Sequence, residues 1–315
     1  MLWKSVSPAR TIRVTLQKVF LFLLVWSILP HPVLDAAPND LHLHFLYRGR
    51  DLSNAANDER LLAQQQLSFG LLTAELGFAL MSPLTSPAKT MGSAGFEVSF
   101  QLGVSDIPET SEHWRRAVED ERPDSSIAVS RIRFRKGLPF SFELEGDIGF
   151  LHNTSYFLAG LALKWSLNEG FVHFPDIAIR VAINRLFGSR DMELFTLVGD
   201  FILSKGFVIA EMFTLTPFVA YSFGWARGAS NVLDPTPKIF DDNESIETGN
   251  FIFEPENQLM HRIQVGIQFN WYILNIALEG AVSLPAADRE DPANPGQRIA
   301  PATIWTFNTK VALAF

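Results

Sequence analysis

The sequence predicts an all-β protein, a closed antiparallel transmembrane β-barrel of about ten strands preceded by one short N-terminal helix. Three observations predict it. From Gly95 to Phe315 apolar and polar residues alternate with a period of two, as in strands with one apolar and one polar face. The links between these strands alternate between short and long. The sequence stops on Phe315, an aromatic residue that ends an alternating strand.

Lys4, Arg10, Arg13 and Lys18 precede an apolar run from Val19 to Leu29, followed by Pro30, Pro32, Ala36 and Ala37. A basic stretch, a short apolar core and small residues near a cut predict a secretory signal peptide over 1–36. Leu34 and Asp35 fit the cut poorly, so an uncleaved inner-membrane anchor is the alternative. Elsewhere no stretch approaches the ~18 apolar residues of a spanning helix. At 47% hydrophobic residues the 315-residue chain is too apolar for disorder. The absence of cysteine excludes disulfides, thiolate metal sites and cysteine nucleophiles. A net charge of −8 argues against nucleic acid as a partner, since displacing its counterions takes a basic surface.

Residues 37–93 form an N-terminal segment. Residues 41–56 are weakly patterned. Over about 59–80, Leu62, Phe69, Leu72, Leu76 and Leu80 recur at spacings of three, four and seven, which predicts an amphipathic helix ended by Pro83 and Pro87. Leu67, Phe69 and Leu71 also alternate, so a strand there competes with it.

The barrel is expected over 94–315, with strands at 94–105, 126–136, 140–151, 156–167, 175–187, 192–204, 206–226, 258–272, 274–285 and 303–315. The count becomes eight or twelve if 126–136 or 41–52 is misassigned. A soluble sandwich or lipocalin-like barrel also alternates, so alternation alone does not decide. The links do: 106–125, 227–257 and 286–302 are long and fall on one end, while 137–139, 168–174, 205 and 272–273 fall on the other. Membrane barrels place short turns on one side and long loops on the other. An even strand count then puts both chain ends on the short-turn side.

The final strand, Thr309-Lys310-Val311-Ala312-Leu313-Ala314-Phe315, resembles the terminal strand of bacterial outer-membrane β-barrel proteins. The resemblance implies that Phe307, Val311, Leu313 and Phe315 form a signal read by the barrel-assembly machinery. It also implies a bacterial outer-membrane location, with long loops extracellular and both termini periplasmic. The helix over 59–80 then lies in the periplasm or plugs the lumen. The architecture selects no single function.

If the apolar face meets lipid, the polar face lines the lumen. Its charged members are Arg131, Arg133, Arg135, Lys164, Arg180, Arg262 and Lys310 against Glu97, Glu143, Glu145, Asp147, Asp200 and Glu279. Folding about Pro139 sets Arg135 opposite Glu143, Arg133 opposite Glu145 and Arg131 opposite Asp147, where opposite charges attract. A charged constriction and an ion-pair network that closes the barrel are the two readings. Ten strands leave little room, which favours the second. In 206–226 the outward phase places Glu211 against lipid, so a bulge or a lateral polar gate is expected there.

The long loops are acidic: 106–125 carries seven Asp/Glu against three Arg, and 227–257 seven against two basic residues. Asp241-Asp242-Asn243-Glu244 does not continue as an EF-hand, because Ile246 and Ile252 stand where Gly and Glu are needed. No metal or cofactor is predicted. Ser111–Glu121 has the composition of a short helix. The strand count also resembles that of the omptin proteases, with His113, His152, His261, Asp106, Asp241 and Asp242 near the outer rim but in no omptin-like motif. The functional expectation is a narrow or plugged barrel for restricted small-solute passage, envelope structure or surface contact. An omptin-like enzyme and an adhesin acting through 227–257 are the alternatives. Lipid is the expected surround, and no particular solute is indicated.

Overall fold

Alternation becomes a wall because every strand finds its chain neighbour. The computed structural model describes residues 39–47, 55–118, 121–209, 212–234 and 251–315. The proposed signal peptide lies outside them, as do Glu211, Asp241 and Asp242. Ten strands form the ring: β1 (Phe96–Asp106), β2 (Ser126–Leu138), β3 (Phe142–Leu151), β4 (Phe157–Asn168), β5 (Asp176–Phe187), β6 (Met192–Ser204), β8 (Phe213–Ser230), β9 (Glu256–Trp271), β10 (Leu274–Pro285) and β13 (Ile304–Ala314). All pairs are antiparallel, β6 pairs β8, and β13 closes on β1 from Glu97–Ala314 to Ser105–Thr306. Closure leaves the ring no free edge, the condition for a sheet to cross a bilayer. Three short strands complete the set among the described residues: β7 (Phe207–Ile209), which pairs the start of β8, and the ribbon β11 (Arg289–Glu290) with β12 (Arg298–Ile299) in the β10–β13 loop.

The outer face is apolar. Leu161 is 59% exposed, Val265 61% and Trp305 62%, among a belt of exposed Phe, Ile, Leu and Val. Such a surface is unstable in water and stable against acyl chains, which makes this an outer-membrane-type barrel. No helix among the described residues is long and apolar enough to cross a membrane.

Before the ring come a 3-10 turn (Leu43–Tyr47) and helix α1 (Ala55–Leu80); helix α2 (Glu112–Ala117) sits in the β1–β2 loop. Helix α1 starts four residues before the predicted helix. It is not amphipathic where it matters: from Phe69 to Leu80 every residue is buried, as in a helix enclosed on all sides. It stands in the lumen toward the long loops. Gly77 permits this, since a Cβ there would lie 2.5 Å from the Ala226 Cβ of β8. Gly228 gives way to Thr73 in the same manner.

Three further expectations change. The strand predicted at 206–226 is divided, with β7 over Phe207–Ile209 and the ring strand β8 beginning at Phe213. The β2–β3 register is slipped by two residues: Arg135 faces Glu145, Arg133 faces Asp147 and Arg131 faces Gly149. The turn centres on Phe140 rather than Pro139, with Phe140 and Ser141 at φ +61° and +59°. Finally, the two ends of the ring, Phe96 and Ala314, do share the short-turn end, but the N-terminal segment does not stay there. Asn39 bonds Asp124 and Asn153 on the long-loop side, so the first described residue and Phe315 lie at opposite ends.

Candidate functional site

The inside of the ring is where the sequence placed its charges. Glu97, Arg131, Arg133, Arg135, Glu143, Glu145, Asp147, Lys164, Arg180, Asp200, Arg262, Glu279 and Lys310 all face inward, and none is more than 8% exposed. Of the terminal-strand residues, Phe307, Val311 and Phe315 lie on the outer face. Leu313 shares their phase but is covered, at 5% exposure.

Buried charges are costly unless paired, and these are paired across strands. Glu143 on β3 meets Lys164 on β4 at 2.9 Å, and Arg180 on β5 meets Asp200 on β6 at 2.8 Å. Glu97 takes Arg135 at 3.0 Å and Lys310 at 3.3 Å. The slipped register does not separate the β2–β3 partners. Arg135 bonds Glu143, Arg133 reaches Glu145 at 3.7 Å, and Arg131 reaches Asp147 at 3.5 Å. Long guanidinium arms span the diagonal that the turn imposes.

The same cations have a second set of partners. After α1 the chain runs as a strap, residues 81–95, down the barrel axis to β1. The last carbonyls of a helix have no partners within it, and the wall supplies them: Arg262 donates to Phe78 O at 3.0 Å, Ser105 to Ala79 O at 3.2 Å and Arg131 to Leu80 O at 2.9 Å. Below, Arg133 donates to Pro83 O at 3.0 Å and Leu84 O at 3.3 Å. Arg180 donates to Ser82 Oγ at 2.8 Å, and Lys164 to Pro87 O at 3.2 Å. Strap amides find acceptors as well: Thr85 N–H donates to Glu279, Ala88 N–H to Ser204 Oγ and Met91 N–H to Glu143. Buried non-helical backbone at membrane depth needs such partners, because it has no helical ladder of its own.

At the short-turn end Glu169, just beyond β4, accepts Thr90 N–H at 2.7 Å and the Ser141 hydroxyl at 2.7 Å. Partial burial pushes its pKa up, but these hydrogen bonds outweigh it and hold the carboxyl below its ordinary value. At the other end Glu75 of α1, 2% exposed, takes His113 Nε2 at 2.7 Å, Trp114 Nε1 at 2.6 Å and Ala302 N at 2.7 Å. One carboxylate thereby ties the helix to two long loops. Phe69 stacks on Phe253, with ring centroids 5.0 Å apart, and ties it to a third.

Of the rim residues considered for catalysis, the four that are described do not converge. His113 is engaged by Glu75. His152 is exposed and bonds Ser130 at 2.7 Å. His261 lies on the outer face against Tyr221, 2.6 Å from its hydroxyl, and Asp106 accepts Trp305 N–H. A pocket of about 30 Å³ between Leu41, Leu76, Trp114 and Tyr156 has room for little more than a water.

Sequence reasoning found the charges and missed what they hold. The signal was present on β8, whose inward positions Ala220, Ser222, Gly224, Ala226 and Gly228 are all small. A run of small side chains on a lumen face makes room for something else.

No family model and no curated protein matches the chain. Solved structures do. Ail, the attachment invasion locus protein of Yersinia pestis, is 12% identical over 71% of this chain and 99% of its own, with a TM-score of 0.29. The β domain of the Bordetella autotransporter BrkA is 11% identical over 71% and 100%, at 0.36. An outer membrane channel from Pseudomonas putida F1 is 10% identical over 75% and 100%, at 0.31. The barrel assignment rests on this chain's own register and apolar exterior.

Proposed function

We propose that the protein is a self-plugged outer-membrane barrel that carries no steady solute flux at rest and serves envelope structure and surface contact. The observation that carries this reading is the strap. Residues 82–88 are buried inside the ring and bonded to cations on β2, β4 and β5. The charges of the lumen act as partners for a polypeptide, which leaves them unavailable to a passing ion. Outer-membrane barrels turn long loops outward, so the reading places α2, the β8–β9 and β10–β13 loops and Asn39–Tyr47 at the cell surface. Insertion relies on the lipid-facing belt and on recognition of Thr309–Phe315 by assembly machinery.

Planar-bilayer recording tests it. The intact protein is expected to give no steady current, and Arg133→Ala with Arg180→Ala, which loosens the strap, to give intermittent openings. A steady single-channel current from the intact protein overturns the reading.

A further inference from the structure

The 3-10 turn before α1 carries a feature the lumen does not use. Leu43 and Leu46, three apart and therefore on one face of such a turn, are buried at 0% and 2% exposure. They fix the backbone. His42 N–H donates to Ala117 O at 2.8 Å, and Leu41 bridges Val118. His42 and His44 flank the buried Leu43, their rings 5.7 Å apart and edge to face. Opposite them stands Asp191 from the tight β5–β6 loop, 147 positions beyond His44 in sequence. Asp191 is itself held: its Oδ2 accepts Leu43 N–H at 2.8 Å, and its carbonyl accepts Asn231 N–H at 2.8 Å. One ligand atom from each of His42, His44 and Asp191 lies within 4.8 Å of the other two, and all three residues are half-buried.

The geometry points to a divalent transition-metal site formed by His42, His44 and Asp191, of the class that takes Zn²⁺. Two imidazoles and one carboxylate are borderline ligands, suited to Zn²⁺ and its neighbours rather than to Ca²⁺ or Mg²⁺. Around a tetrahedral ion with bonds of about 2.1 Å, ligands stand about 3.4 Å apart. Small side-chain rotations on a fixed backbone bring the three atoms to that spacing. The Leu43 N–H on Asp191 orients the carboxylate as an outer-shell donor does. Three protein ligands leave a fourth position open to water or an outside ligand. Because the turn belongs to the N-terminal segment and Asp191 to the ring, the ion clips that segment to the barrel at the long-loop end.

The test uses the mature, untagged protein in detergent, stripped with chelator and titrated with Zn²⁺ alone by calorimetry. One saturable site per chain is expected. Binding should fall at least ~100-fold in His42→Gln with His44→Gln, and about tenfold in Asp191→Asn. A second measurement needs no variant: Zn²⁺ should protect His42 and His44, but not His152, from histidine acylation mapped by mass spectrometry. Absence of a saturable site in the intact protein overturns the proposal. So does Zn²⁺ affinity unchanged in the double variant, or acylation of His42 and His44 indifferent to Zn²⁺.

Discussion

The two halves of the lumen are filled by the same segment in opposite ways. Toward the long loops the wall turns Leu151, Leu158, Leu186 and Leu194 inward, in one buried cluster with Phe69, Leu72 and Leu76 of α1. Toward the short turns it presents Arg133, Arg135, Glu143, Glu145, Lys164 and Lys310. The difference follows from backbone chemistry. A helix satisfies its own peptide groups and can lie against an apolar wall. An extended strap cannot, so its carbonyls and amides need ionic and hydroxyl partners. The crossover falls at Phe78–Leu80, where the helix ends and the first arginines appear. The polarity of the wall tracks the secondary structure of its contents.

The sharpest way to break this comparison is in the lower half. Arg180→Met removes the salt-bridge partner of Asp200, one of the three cations on Glu145 and a donor to Ser82. Stranding buried carboxylates costs ~3–5 kcal/mol. The unfolding temperature, read as loss of the heat-modifiable band on a gel, should drop sharply; an unchanged band would show that the ionic network does not hold the strap. In the upper half Gly77→Val drives a side chain into Ala226, and overpacking of this kind costs about 1–3 kcal/mol. Faster proteolysis within residues 59–95 is expected, with the ring itself intact. The smallest effect is at the short-turn end. The Glu169 carboxyl sits below its unfolded value, so its contribution is present above the ordinary carboxylate range and lost as pH falls through its folded value. The protection factor of the Thr90 amide, its exchange rate normalised to that of the free chain at the same pH, should therefore fall in acid, and Glu169→Gln should abolish that dependence.

Most of the ring was legible because a period of two records a wall with two faces. The ten strands and their neighbours follow from Phe96 to Ala314 with little adjustment. Register was less legible: the slip between β2 and β3 comes from left-handed φ at Phe140 and Ser141, which are not residues that announce it. The contents of the ring were hardest to read. Alternation suggests a uniformly polar lumen, yet Phe150-Leu151, Phe157-Leu158, Leu186-Phe187 and Leu194-Phe195 are apolar on both faces at the long-loop ends. Those doublets mark where α1 packs. The cluster of His42, His44 and Asp191 is invisible in sequence because the β5–β6 turn, not spacing, brings Asp191 to the histidines.

The strap has a consequence for how the molecule comes together. It enters at one mouth and leaves at the other, directly into β1, and a sealed ring admits nothing sideways. The β1–β13 seam must therefore zip shut around a chain already in place, or the N-terminal residues must be drawn through the bore afterwards. The first order makes residues 81–106 an early hairpin-like core and the seam the last joint to close.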